Sequence, residues 1–131
     1  MIFLDTDIIS HYFNANIKIK EKILEIIDNN ENICTTVINT YEILKGFKWR
    51  NNRNKESQFK EFLEDLVIFT IDDDVVNIAS DLYSKLRKGG KAIGDADILI
   101  AAVVIRNKGI LVTNNIKHYE GIEQLKIVNW M

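Results

Sequence analysis

The chain has 131 residues, 47% of them hydrophobic, and a formal net charge of −2. Such a length predicts one domain that buries roughly two-thirds of its unfolded surface, and the charge excludes the broad basic field of a protein that coats nucleic acid while permitting local basic patches. No apolar run reaches the roughly 18 residues a membrane span needs, and no basic leader or cleavage site follows Met1, so a cytoplasmic protein with no membrane contact is expected. The single cysteine, Cys34, agrees, since it sits in an apolar stretch that suits a buried, inert thiol.

Apolar runs alternate with helical patterns, the signature of an α/β fold around a mainly parallel sheet of four or five strands. Ile2 to Leu4 reads as the first strand and Asp7 to Phe13 as a helix, followed by an amphipathic helix from Ile17 to Ile27. A second strand, Asn32 to Thr35, leads into a helix from Val37 to Phe47. Ser57 to Leu66 forms the next helix, with a stripe of Phe59, Phe62, Leu63 and Leu66. Val67 to Ile71 is a third strand. Asp72 to Asp74 cap a helix from Val75 to Leu86. Lys88-Gly89-Gly90-Lys91 is a turn that lacks the ending of a phosphate-binding loop. Asp95 to Ile105 is apolar nearly all round and should be buried; Ile110 to Thr113 and Lys126 to Val128 complete the sheet.

Four acids lie in or against these apolar runs: Asp5 and Asp7 after the first strand, Glu42 on the helix leaving the second, and Asp97 in the first turn of the buried helix. An ionised carboxylate is costly there unless a cation or a donor compensates it. A shared metal ion is the simplest common explanation, and oxygen ligands with no adjacent His or Cys point to Mg2+ or Mn2+. Asp5 falls at the carboxyl end of a parallel strand, where open α/β sheets place ligands. The dipole at the start of its helix favours an anion at Asp97. Three elements distant in sequence should therefore bring Asp5, Glu42 and Asp97 to one spot.

The chain resembles the PIN domain nucleases, and within them the VapC-type toxins of toxin-antitoxin pairs. Leu4-Asp5-Thr6-Asp7, Tyr41-Glu42-Ile43-Leu44-Lys45-Gly46, Asp97-Ile98-Leu99-Ile100-Ala101-Ala102 and Leu111-Val112-Thr113-Asn114-Asn115 carry the likeness, in the right order from end to end, with Tyr119-Glu120-Gly121-Ile122 after them. The resemblance implies a three-layer α/β/α sandwich and a Mg2+- or Mn2+-dependent endoribonuclease with Asp5, Glu42 and Asp97 as its acidic core, hydrolysing RNA by metal-activated water. Where the family often has a fourth acid, Asn115 stands here; Thr113 would help through its hydroxyl, and Asp7 and Asp95 would support the site from behind. A cognate antitoxin protein and a homodimer are implied as partners, with the Phe59 to Leu66 stripe a candidate groove wall.

Other readings compete residue by residue. Asp7 and Asp95 suit helix N-caps, Asn114 and Asn115 suit a turn, and His11 and His118 read as surface residues. Lys45, Lys48, Arg50, Arg53 and Lys55 form a candidate RNA-binding patch around Phe47 and Trp49, though the two rings read more readily as core than as stacking platforms. Lys85, Arg87, Lys88 and Lys91 form a second patch that reads as a solvated helix end. Asp5-Thr6-Asp7 also resembles the nucleophile motif of haloacid-dehalogenase-type phosphatases, but Ile9 departs from that pattern and Glu42 would have no role. A non-catalytic receiver-like module is the third reading; it wants a phosphorylatable Asp after the third strand, where Asp72 to Asp74 look like caps.

Overall fold

The computed structural model describes residues 1–131. Five strands, β1 (Ile2–Leu4), β2 (Ile33–Thr36), β3 (Val67–Phe69), β4 (Ile110–Val112) and β5 (Lys126–Val128), form one sheet in the order β3-β2-β1-β4-β5, parallel throughout. Seven helices connect them: α1 (Thr6–Phe13), α2 (Ile17–Asp28), α3 (Val37–Trp49), α4 (Arg53–Leu63), α5 (Asp73–Lys88), α6 (Asp95–Arg106) and α7 (Ile116–Tyr119). That order runs outward in both directions from β1, so the switch point lies between β1 and β4, at the carboxyl ends of the two strands.

Consecutive strand residues point to opposite faces of the sheet and feed two cores. Phe3, Cys34 and Leu111 pack with α5, α6 and Tyr119 on one side. Leu4, Ile33 and Val112 pack with α1, α2, α3 and α4 on the other. The apolar α6 is buried as its composition predicts, with Ile98 and Ile100 through Val104 all inside. The edge strands β3 and β5 are largely exposed.

Several boundaries and caps differ from the sequence reading. Asp5, not Asp7, is the N-cap of α1: its carboxylate accepts from Thr6 N, so Asp5 alone separates the strand from the helix. Gly94, not Asp95, is the N-cap of α6, and no side chain caps that helix. Asn52 accepts from Lys55 N, so α4 opens at Arg53, ahead of Ser57. α3 runs past Phe47 to Trp49, which carries the indole beyond the core and leaves it 88% exposed, where the sequence favoured burial. Phe47 does pack inward, against Phe13 and Phe59. The Phe59 to Leu66 stripe is used mostly for ordinary core packing: Phe59, Phe62 and Leu66 are buried, with Tyr12 and Phe13 against the Phe62 ring.

Candidate active site

Asp5 is the centre of a polar network at the switch point. It leaves β1 with its backbone N–H bonded to Val112 O of β4 at 3.0 Å. The residue is 4% exposed. Oδ1 accepts from Thr6 N at 2.9 Å and Asn39 Nδ2 at 3.0 Å; Oδ2 accepts from the Thr113 hydroxyl at 2.8 Å and the Tyr119 hydroxyl at 3.1 Å. Four donors on two oxygens match the acceptor capacity of a carboxylate, which is how a buried charge is tolerated here.

Glu42 joins through Thr6. The Thr6 hydroxyl donates to Glu42 Oε1 at 2.7 Å and accepts from Asn39 Nδ2 at 3.0 Å. Asn39 is oriented in turn by Thr36, the N-cap of α3, whose hydroxyl donates to Asn39 Oδ1 at 2.7 Å and accepts from Asn39 N at 3.2 Å. With its carbonyl oxygen taken, the Asn39 amide has only its NH2 to present to Asp5 and Thr6. Asn39 and Thr6 were not singled out from the sequence; the spacing of three between Asn39 and Glu42, which sets them on one helix face, was the available signal.

Asp97 arrives on the first turn of α6. The Tyr119 hydroxyl lies 3.3 Å from Asp97 Oδ1, and His118 Nδ1 lies 3.3 Å from Asp97 Oδ2. His118 is thus exposed, as expected, but not idle. Asp7 accepts from Ile8 N and from Asn114 N, both at 2.8 Å, which ties α1 to the segment after β4. Burial, and then the neighbouring Asp5, push the Asp7 carboxyl above the usual range. Burial raises Asp97 too; His118 opposes that and Asp5 adds to it. The Tyr119 hydroxyl is pushed far up by burial and by both aspartates, so it stays protonated.

The remaining candidates sit further out. Thr113 is fully buried, and its hydroxyl accepts from Asn115 N at 3.0 Å while donating to Asp5. Asn115 is exposed at the start of α7. Asp95 is exposed and borders Ala79, Ser80 and Tyr83 of α5, a different side of α6 from Asp97. Lys45 lies over the Tyr41 ring at 5.1 Å, and with Lys48 and Trp49 these residues border one surface of α3. Lys48 also pairs with Glu56, whose carboxyl Lys60 and Lys48 hold below its usual range. Lys55 is committed elsewhere: its Nζ donates to Phe13 O at 2.7 Å, at the end of α1.

By donor chemistry the cluster suits a hard cation. Asp5, Asp7, Glu42 and Asp97 offer only oxygen, and none of the four ion pairs in the molecule brings a lysine or arginine to them. The side chains do not form a ready-made cage, however, for no three acidic or imidazole groups close around one point. The expectation that three carboxylates meet at one spot is met in part: Asp5 and Asp97 share Tyr119, while Glu42 connects through the Thr6 hydroxyl.

A family model described as PIN domain matches residues 2–121. The chain belongs to the PIN domain family. Ribonuclease VapC2 of Rickettsia felis is 30% identical to this PIN domain, over 97% of this chain and 96% of the relative. Ribonuclease VapC1 of Methanocaldococcus jannaschii is 29% identical, over 94% of this chain and 82% of the relative. Among solved structures, VapBC2 from Rickettsia felis bound to a DNA fragment from its promoter superimposes with a TM-score of 0.89 at 29% identity, over 100% of both chains. The competing readings fail on geometry. A receiver-like module has strand order 2-1-3-4-5, not the order of this PIN domain. In a phosphatase, Glu42, tied here to the Asp5 network through the Thr6 hydroxyl, would have no role.

Proposed function

We infer that this PIN domain is a divalent-metal-dependent endoribonuclease, the toxin of a VapBC-type toxin-antitoxin pair, and that residues 1–131 act as one nuclease domain in the cytoplasm. The observation that carries this reading is the contact of one hydroxyl with both Asp5 and Asp97 at the sheet's switch point, with Glu42 tied to the same network, in a chain whose near full-length relatives are named ribonucleases.

Asp5, Glu42 and Asp97 hold the cation, which is Mg2+ or Mn2+ because every donor is a hard oxygen. When bound, the cation supplies Lewis-acid polarisation of the phosphodiester and activates water for attack. The chain's own residues prepare the site. Four donors fix the Asp5 oxygens, Thr6 orients Glu42, and Asp7, anchored on Asn114 N, adds negative potential beside Asp5. Thr113 ties the end of β4 to Asp5, and Asn115 opens the helix that carries Tyr119. Lys45, Lys48, Arg50 and Arg53 take the RNA backbone, with the exposed Trp49 and Tyr41 rings placed for base stacking. The partners are an antitoxin protein that silences the site and a second copy of the chain in a homodimer.

RNA cleavage in Mg2+ or Mn2+, lost on chelation with EDTA, is the expected result, and robust cleavage in EDTA would overturn the reading. Glu42→Gln should abolish cleavage with the fold intact; a phosphatase would not notice the change.

A further inference from the structure

Asp5 has no acceptor site to spare. Its two oxygens already receive Thr6 N, Asn39 Nδ2 and the hydroxyls of Thr113 and Tyr119, and a carboxylate has about four lone-pair positions. A cation taken by Asp5 must therefore displace one of these donors, and three are held fast. Thr6 N is backbone in the first turn of α1. Asn39 is buried and clamped by Thr36. Thr113 is buried at the end of β4 and also holds Asn115 N.

Tyr119 is as buried as Asn39 and Thr113, but its hydroxyl bonds only to the two acids and no third group clamps it. It makes the longest of the four contacts, 3.1 Å, and it stands on α7, a helix of only four residues. Its oxygen is also 3.3 Å from Asp97 Oδ1, so it lies between facing oxygens of both acids. A phenol carries one hydrogen, which only one carboxylate can receive at a time. The other acid then faces an oxygen lone pair, so this contact is the one most readily given up.

We propose that the Tyr119 hydroxyl competes with the divalent cation for Asp5 Oδ2 and Asp97 Oδ1, acting as a latch that lowers the metal affinity of the site. It rests on the reading of Asp5 and Asp97 as cation ligands. Glu42 and Asp7 are outside its reach, because the hydroxyl bonds to neither.

Mn2+ binding to the full chain, followed by electron paramagnetic resonance, tests both levels. Asp97→Asn should weaken binding strongly; unchanged binding in that variant would remove the ligand assignment and the latch with it. Given that loss, Tyr119→Phe decides. The ring is retained and the competitor removed, so the Kd for Mn2+ should fall roughly three- to tenfold, the net worth of one ordinary intramolecular hydrogen bond. An unchanged Kd, or a higher one, would overturn the latch, the higher value marking the hydroxyl as a support for bound metal. Carbon-13 NMR of the unaltered protein gives an independent readout: the Tyr119 Cζ resonance should shift on titration with Mg2+. A resonance that stays in place at saturating Mg2+ would also overturn it.

Discussion

Asp95 and Asp97 are two residues apart on one helix and have different surroundings. Asp97 faces Tyr119 and His118, while Asp95 looks out beside α5 and caps nothing, since Gly94 holds the N-cap position. Asp97→Asn should lower RNA cleavage by orders of magnitude with the melting temperature unchanged or raised, because burial and Asp5 both disfavour its charge. Asp95→Ala should leave cleavage and melting near the parent values; a dead Asp95 variant beside an active Asp97 variant would move the site. Asn39 supports from behind. Asn39→Ala removes the donor shared by Asp5 and Thr6, and should cost about 1–3 kcal/mol of stability together with most of the cleavage, read by denaturant unfolding and an RNA assay. The acids were legible in the sequence because charge stands out against an apolar run. Asn39, Thr6 and Tyr119 were not, since neutral polar side chains at such places have many uses and only the folded network shows which one is made.

At the scale of elements, long helices and buried strands announced themselves and short pieces did not. α6 was plain because a run of apolar residues from Ile98 onward leaves no polar face. α7 is a single turn, too short to show a period, and it delivers both His118 and Tyr119. The starts of α1 and α4 were misplaced because several candidate caps stood close together, and only the hydrogen bonds of Asp5 and Asn52 choose among them. The turn from α6 into β4 has its own constraint. A Cβ on Gly109 would lie 2.6 Å from two carbons of the Phe3 ring and 3.1 Å from Met1 O. Phe3 is fully buried in the middle of the sheet and cannot retreat. Gly109→Ala should therefore destabilise the protein by about 1–3 kcal/mol through overpacking, measured by thermal or denaturant unfolding, with cleavage per folded molecule retained because Thr113, just after β4, still meets Asp5. A neutral effect on stability would mean the Phe3 ring has room that its burial does not suggest.

Across the whole molecule, one helix serves the acidic cluster from its start and carries basic residues towards its end. α3 begins with Thr36 and Asn39 serving the acids and ends in Lys45, Lys48 and Arg50, with Arg53 opening α4 just beyond. Under the proposed function, RNA would reach the acidic end along this basic surface, on a chain whose net charge of −2 gives no attraction by itself. The basic residues are not equivalent. Lys55 is spent on Phe13 O and Lys48 is shared with Glu56, whereas Lys45, Arg50 and Arg53 have no acidic partner. Replacing Lys45, Arg50 and Arg53 together by Ala should weaken RNA binding and flatten the dependence of log K on log salt by up to about 2, at roughly 0.7 per lost contact with a single strand. Lys55→Ala should leave that slope alone and lower stability instead. Binding measured across a salt series, with Mn2+ affinity as a control that neither variant should change, separates the two roles. An unchanged slope in the triple variant would assign these side chains to solvent and send the search for the RNA path to the Lys85, Arg87, Lys88 and Lys91 patch at the far end of α5.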